Sequence, residues 1–369
     1  MSEIRIPQGM RDLMPAELAA KDTLEKKTEA VFQAYGYQKI STPAIEYFTT
    51  YANAFADVKS EEMYRFFDQQ GHMLVLREDM TVPIARVCAS KFANAQPPFR
   101  ISYCNDVFRV RHAFAGKRNE VTDCGIELIG IDESGDLEVL VTALDVMKAL
   151  AGDSFQLEIG RSSFFEKACD SVHINKEDRR HLAELIDEKS LVDLEEFLKT
   201  LSLEEKAVSF FQQLPLAAGD HRIFDDVMDI SFNDDLKKEV EKMQKLYEQL
   251  DQLGYGSYVT FDFGKVPHLD YYTGIIFEAY VKDIGTSVLS GGRYDNLLKK
   301  FGRDLPACGF SVKLDYLLDT SVHNQDDKRA YVYYPRGKET EAILKAKELQ
   351  KDYAVCLCPW DKDKMEVVL

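Results

Sequence analysis

The sequence has no apolar run long enough to span a membrane, and its first residues, Met1-Ser2-Glu3-Ile4-Arg5, show no signal-peptide pattern. A soluble, cytoplasmic protein is expected. Cysteine is sparse and unpatterned: seven residues, Cys88, Cys104, Cys124, Cys169, Cys308, Cys356 and Cys358, an odd number without framework spacing. That argues against a disulfide scaffold and for reduced thiols inside apolar runs. Cys356 and Cys358 alternate along a strand-like stretch, but no second Cys/His pair lies near them, so no metal site is expected. Basic charge is also short. The 46 Lys and Arg face 63 Asp and Glu, a formal net charge of −17 that repels a nucleic-acid backbone at long range. Repeats and low-complexity tracts are missing too. What is present, 45% hydrophobic and 30% charged residues over 369 positions, is a globular composition with room for two or three domains.

Along the chain, the turn-rich Pro7-Gln8-Gly9-Met10-Arg11-Asp12 leads into a helix over 16–35 that Gly36 stops. Residues 37–43 read as a strand ending at Pro43. Residues 64–68 and 72–76 form a hairpin about Gln69-Gln70-Gly71. A helix from Val82 follows, with Thr81 as the expected N-cap. Strands are expected at 99–104, 105–111 and 120–129, the last two as a hairpin, then a helix at 137–151 and a strand at 155–159. From about 164 to 253 Leu/Phe-spaced charged helices dominate and read as a helical insertion. Strands resume over 258–312. After a polar linker at 323–328, one right-handed β-α-β unit closes the sequence. The expected division is a core of residues 1–322, with the insertion at about 164–253, and a truncated α/β domain at 328–369.

Four polar clusters fall on strand-like or turn-like segments of this mostly antiparallel α+β plan: Arg77 to Thr81, Arg109 to Arg111, Asp123 to Glu127, and Asp270 to Tyr272. Charges two apart on a strand share a face, which pairs Arg109 with Arg111 and aligns Asp123, Gly125 and Glu127. Singly, each cluster reads as satisfied salt bridges. Together they suit a small zwitterion, with acids for its amine and arginine for its carboxylate or a phosphate. The chain centres on His268-Leu269-Asp270-Tyr271-Tyr272 and Gly291-Gly292-Arg293-Tyr294-Asp295, where absent Cβ atoms let a ligand or another strand approach the backbone.

The order of these segments resembles the catalytic core of class II aminoacyl-tRNA synthetases, specifically histidyl-tRNA synthetase. Gly36 to Pro43 is similar to motif 1, Phe108-Arg109 with its hairpin to motif 2, and Pro306 to Phe310 to the start of motif 3. Leu269 to Tyr272 and Gly291 to Asp295 are similar to the two histidine-specific motifs. The resemblance implies an antiparallel class II sheet flanked by helices, covering residues 5–320. Departures accompany it. Pro267-His268 stands where active enzymes have Arg-Gly, and Asp315-Tyr316 where they have Glu-Arg. Phe108-Arg109-Val110-Arg111 replaces Phe-Arg-x-Glu, Asp79 replaces a glutamate, and Asp123 a glutamine. Two phosphate-directed arginines are thus missing, and the loss of one oriented donor costs about a hundredfold in such chemistry. Ligase activity is therefore not expected.

The same pattern resembles the regulatory subunits of ATP phosphoribosyltransferase. This implies a non-catalytic protein with no cofactor, no tRNA partner and no membrane association. It would assemble with a short-form catalytic subunit as a hetero-octamer, and exert histidine feedback on the first step of histidine biosynthesis. Asp79, Arg109, Asp123, Glu127, Tyr271 and Tyr272 would line a histidine-sized pocket for free histidine, and the motif 1-like segment 36–51 would pair two copies. The alternatives are a histidine–tRNA ligase with an altered active site, which the acidic charge and short C-terminus oppose, and a free-standing amino-acid sensor.

Overall fold

A computed structural model describes residues 5–55, 58, 60–110, 118–266, 272–321 and 329–369. Pro267 to Tyr271, the segment 111–117 and the polar linker lie outside these residues, so the expectations for His268, Asp270, Tyr271 and Arg111 fall outside them as well. The chain divides into two compact units, one of residues 1–13 and 18–321, the other of 322–369 with 14–17.

Fifteen strands occur among the described residues: β1 (Gln38–Lys39), β2 (Ile45–Tyr47), β3 (Arg65–Phe67), β4 (Met73–Leu76), β5 (Phe99–Phe108), β6 (Glu120–Ile129), β7 (Phe155–Arg161), β8 (Ala218–Gly219), β9 (Val259–Asp262), β10 (Ile275–Val281), β11 (Leu289–Arg293), β12 (Ala307–Lys313), β13 (Arg329–Pro335), β14 (Ala354–Trp360) and β15 (Glu366–Val368). In the larger unit nine of them form one sheet in the order β1-β5-β6-β12-β11-β10-β7-β9-β8. Its central pairs β5–β6–β12–β11–β10–β7 are all antiparallel. The two strands expected at 99–104 and 105–111 are a single ten-residue strand, β5, because it pairs without a break from Phe99 to Phe108 with β6.

Strand alternation separates the two faces of this sheet. On one face Cys124, Ile126, Leu128, Phe277 and Phe310 join a continuous apolar cluster with the helices Pro15–Ala34 and Asp136–Ala151. The helices between Ser162 and Gln252 add Phe164, Phe210, Phe211 and Val240 to that cluster, and their chain returns β8 to the sheet edge. On the other face Ile101, Val107, Val121 and Ile129 pack with Tyr51, Met80, Val82 and Tyr294. Along β5 and β6 this second face is apolar toward both ends. Its centre is polar and carries the candidate site residues Asp123 and Glu127.

A small sheet, β2-β4-β3, flanks the helix Thr81–Ser90. Register places Ile45 opposite Leu76, and Tyr47 and Phe66 opposite Leu74. Ile45, Tyr47 and Phe66 are exposed. In the smaller unit β14 is parallel to β13 and β15 antiparallel to it, with the helix Glu339–Leu349 linking the parallel pair. Cys104 and Cys124 stand directly opposite each other on β5 and β6 with their sulfurs at bonding distance, which departs from the expectation of seven reduced thiols. No helix among the described residues is long and apolar enough to cross a membrane.

Candidate functional site

Three rows of cross-strand partners build the polar face. Tyr103, Gly125, Ser311, Ser290, Glu278 and Glu158 align in one row; Ile101, Glu127, Gly309, Gly292 and Ile276 in the next; Asn105, Asp123 and Lys313 in a third. The middle of the sheet therefore carries glycine and serine, with carboxylates around them. The glycines are required by close approach. A Cβ on Gly309 would lie 2.0 Å from Glu127 Oε2 and 2.3 Å from the Ile126 carbonyl, and one on Gly125 would meet the Tyr103 hydroxyl at 2.5 Å. At Gly292 it would fall 2.6 Å from the Tyr272 ring, which rests on that backbone.

Glu127 is fully buried and held by three hydroxyls. Thr81 Oγ1 donates to Oε1 at 2.9 Å, Tyr294 donates to Oε2, and Tyr103 also hydrogen-bonds the carboxyl. Burial outweighs these donors and lifts the Glu127 carboxyl to about 8. Thr81 was expected to cap the helix Thr81–Ser90; instead Met80 is the N-cap residue and Asp79 Oδ1 accepts the Val82 N–H at 2.9 Å. Asp79 can do this because its carboxyl stands one residue before the N-cap, which frees the Thr81 hydroxyl for Glu127. Loss of water lifts Asp79 to about 6, against the pull of the Val82 N–H and the Arg109 charge.

Asp123 is 3% exposed, and its Oδ1 has no hydrogen-bond partner. Burial raises its carboxyl, opposed by Arg109 and Lys313, and Ser311 supplies a hydrogen bond to it. Arg109 Nε donates to the Glu78 carbonyl at 2.6 Å, and its charge pulls on the carboxyls of both Asp79 and Asp123. Val107, Arg109, Arg118, Val121, Asp123, Glu278, Lys313 and Tyr316 are among the residues around a cavity of about 370 Å³. Glu278 also borders a larger one of about 610 Å³ that includes Tyr272, Glu158 and Lys265. There Lys265 bridges Glu158 at 2.8 Å and Glu278 at 2.6 Å.

The structure thus gathers Asp79, Arg109, Asp123 and Glu127, and places Tyr272 on the same face, beside Gly292 and the larger cavity. Two residues singled out in the sequence serve the framework instead. Arg77 donates to the Asp106 and Thr42 carbonyls at 2.8 and 2.6 Å. Arg293 is 1% exposed and bonds Asp136, Asp295 and the carbonyls of Ile131 and Asp132. Sequence reasoning missed Tyr103, Ser311 and Lys313. The signal for them was register: they oppose Gly125 and Asp123, which the strand alternation had already placed. No group of three or more His, Cys, Asp or Glu among the described residues could hold a metal ion.

A family model described as histidyl-tRNA synthetase matches residues 9–317. The chain is 33% identical over 373 residues to an ATP phosphoribosyltransferase regulatory subunit of Clostridium botulinum, covering 99% of this chain and 88% of that one. It is 33% identical over 354 residues to one of Bacillus anthracis, covering 94% and 84%. A crystal structure described as an ATP phosphoribosyltransferase regulatory subunit/histidyl-tRNA synthetase from Bacillus halodurans superposes with a TM-score of 0.85 at 32% identity, over 96% of this chain and 92% of that one. Histidyl-tRNA synthetase from Nostoc sp. PCC 7120 shares the fold, with a TM-score of 0.79 at 19% identity over 99% and 88% of the two chains. With a family model matched over most of its length and relatives at a third identity over most of both chains, the chain belongs to the histidyl-tRNA synthetase family, among the ATP phosphoribosyltransferase regulatory subunits.

Proposed function

We propose that the chain is a cytoplasmic, non-ligase subunit that activates a short-form ATP phosphoribosyltransferase within a hetero-octamer and conveys histidine feedback to it. The observation that carries the ligand half of this reading is Asp123. A buried carboxylate oxygen without a partner is costly, and a ligand ammonium or imidazole N–H at Oδ1 would remove that cost. Arg109, already oriented by the Glu78 carbonyl, faces the same cavity and suits the ligand carboxylate. Asp79, Glu127, Tyr271 and Tyr272 complete the proposed histidine pocket.

The ligase half of the family's chemistry is opposed by the start of the helix Leu314–Ser321, where Asp315 and Tyr316 supply no cation for a phosphate. The exposed apolar side of the small sheet, Ile45 and Tyr47 from the motif 1-like segment with Phe66 beside them, supports pairing of two copies there.

Reconstitution with the short catalytic subunit tests this. The mixture should gain phosphoribosyl transfer and lose it on adding histidine, while the chain alone shows no histidine-dependent ATP–pyrophosphate exchange. Asp123→Asn should raise the histidine concentration needed for inhibition about tenfold or more. Inhibition unchanged in that variant removes Asp123 from the site, and exchange activity in the isolated chain refutes the non-ligase reading.

A further inference from the structure

Strand β12 leaves the sheet after Lys313, whose partner on β6 is Asp123. The next N–H of β6, that of Thr122, bonds the Asp315 carboxylate instead, donating to Oδ2 at 2.7 Å. The other oxygen, Oδ1, faces two guanidiniums, Arg11 Nη2 and Arg118 Nη1, each at 3.4 Å. The Asp315 side chain is only 8% exposed. A carboxylate between two arginines and a backbone N–H makes the set of contacts an incoming phosphate oxygen would make. Arg118 and Tyr316, the residue after Asp315, both line the 370 Å³ cavity.

The other cations of that cavity have carboxylates near enough to feel their charge. Lys313 acts on Asp123 and Glu278, and Arg109 on Asp79 and Asp123. A phosphate entering here would have to displace a carboxylate tethered to the same chain, at an effective concentration no free counter-ion reaches. It would also approach the unpaired oxygen of Asp123 and the carboxylate of Glu278, both on the cavity wall. Like charge brought together without water between is repelled strongly.

We propose that Asp315 is a built-in counter-anion that holds Arg11 and Arg118 and so keeps phosphate-bearing molecules, nucleotides above all, out of the cavity. It is a specificity residue acting through two arginines, and it rests on the reading of this cavity as the ligand site. Selection is then made by charge: a small ligand that brings a cation is admitted, and a polyanion of equal size is refused.

Titration calorimetry of the full chain with ATP, and separately with inorganic pyrophosphate, tests it. Asp315→Asn keeps an acceptor for the Thr122 N–H and removes only the charge. The wild type should show no saturable binding of either probe. Asp315→Asn should bind both at least about tenfold tighter than the wild-type limit, with the gain falling as salt is added and vanishing when Arg118→Gln is combined with it. If Asp315→Asn does not fold, Asp315→Ser, also an acceptor, is read by the same criteria. A folded variant that binds neither probe more tightly overturns the proposal and leaves Asp315 a structural staple. Saturable ATP binding by the wild type, competed by pyrophosphate, overturns it too. Histidine titrated into the wild type reports separately on whether the cavity is the ligand site.

Discussion

Arg293→Met removes a fully buried guanidinium and leaves its methylene volume largely filled. In the wild type, Nε and Nη2 donate to Asp136 Oδ1 at 2.8 and 2.5 Å, Nη1 donates to Asp295 Oδ1 at 2.9 Å, and two carbonyls take the remaining hydrogens. The substitution strands Asp136, itself 5% exposed at the start of the helix Asp136–Ala151. Breaking one side of a buried pair costs about 3–5 kcal/mol. The penalty should depend on pH. Burial already raises the Asp136 carboxyl against the opposing pull of Arg293. With the guanidinium gone, its folded pKa rises further above the unfolded value, so the folded state of the variant binds a proton the unfolded state has released. Stability is then retained below about pH 4 and lost as pH rises toward the folded pKa. Urea unfolding of wild type and variant at pH 5 and pH 7.5 should show a destabilisation at least about 1 kcal/mol larger at the higher pH, one pKa unit being worth about 1.4 kcal/mol. An equal penalty at both pH values, or one below about 1 kcal/mol, would refute the account of Arg293 as a buried counter-ion.

Gly309→Ala places a methyl group against Glu127 Oε2, which hydroxyls hold in place, and against the Ile126 carbonyl, which cannot withdraw without breaking the sheet. A loss of about 1–3 kcal/mol is expected, together with loss of histidine binding by calorimetry; near-normal values of both would show that the floor yields. Glu127, raised to about 8, should make stability decline as pH rises from about 4.5 to 8, and Glu127→Gln should flatten that slope in urea titrations. A slope identical in the two proteins counts against a protonated Glu127. Tyr47→Asp puts a charge on the exposed side of the small sheet, and sedimentation should shift toward the monomer; an unchanged dimer moves the contact elsewhere.

Strand alternation made the site's inner wall legible. Asp123, Gly125 and Glu127 could be put on one face from spacing alone, and β6 has them so. The spacing could not reveal which acids are already satisfied. Glu127 is sated by hydroxyls from three other elements, whereas Asp123 keeps one oxygen bare. That difference is made by Thr81, Tyr103 and Tyr294, which meet only through tertiary packing. The same limit explains Arg293. It stands in a run resembling a histidine-specific motif, but the side chain turns toward the helix Asp136–Ala151, some 157 residues earlier in the chain. Thr81 failed as a cap for a local reason: Pro83 has no N–H to offer it, and Asp79, two residues earlier, accepts the Val82 N–H.

Gly125, Gly292 and Gly309 give the polar face a floor of bare main chain. Main chain carries no codon of its own to lose. A catalytic group borne on a side chain can be erased by a single substitution, and the erasure leaves the sheet untouched. The space the glycines leave for Tyr103, Tyr272 and Glu127 can be changed only by filling it, which the neighbouring carbonyls resist. A lineage can therefore shed its reaction step by step and still inherit the vessel in which it ran. Where recognition and chemistry are written in different parts of a polypeptide, the first can outlast the second.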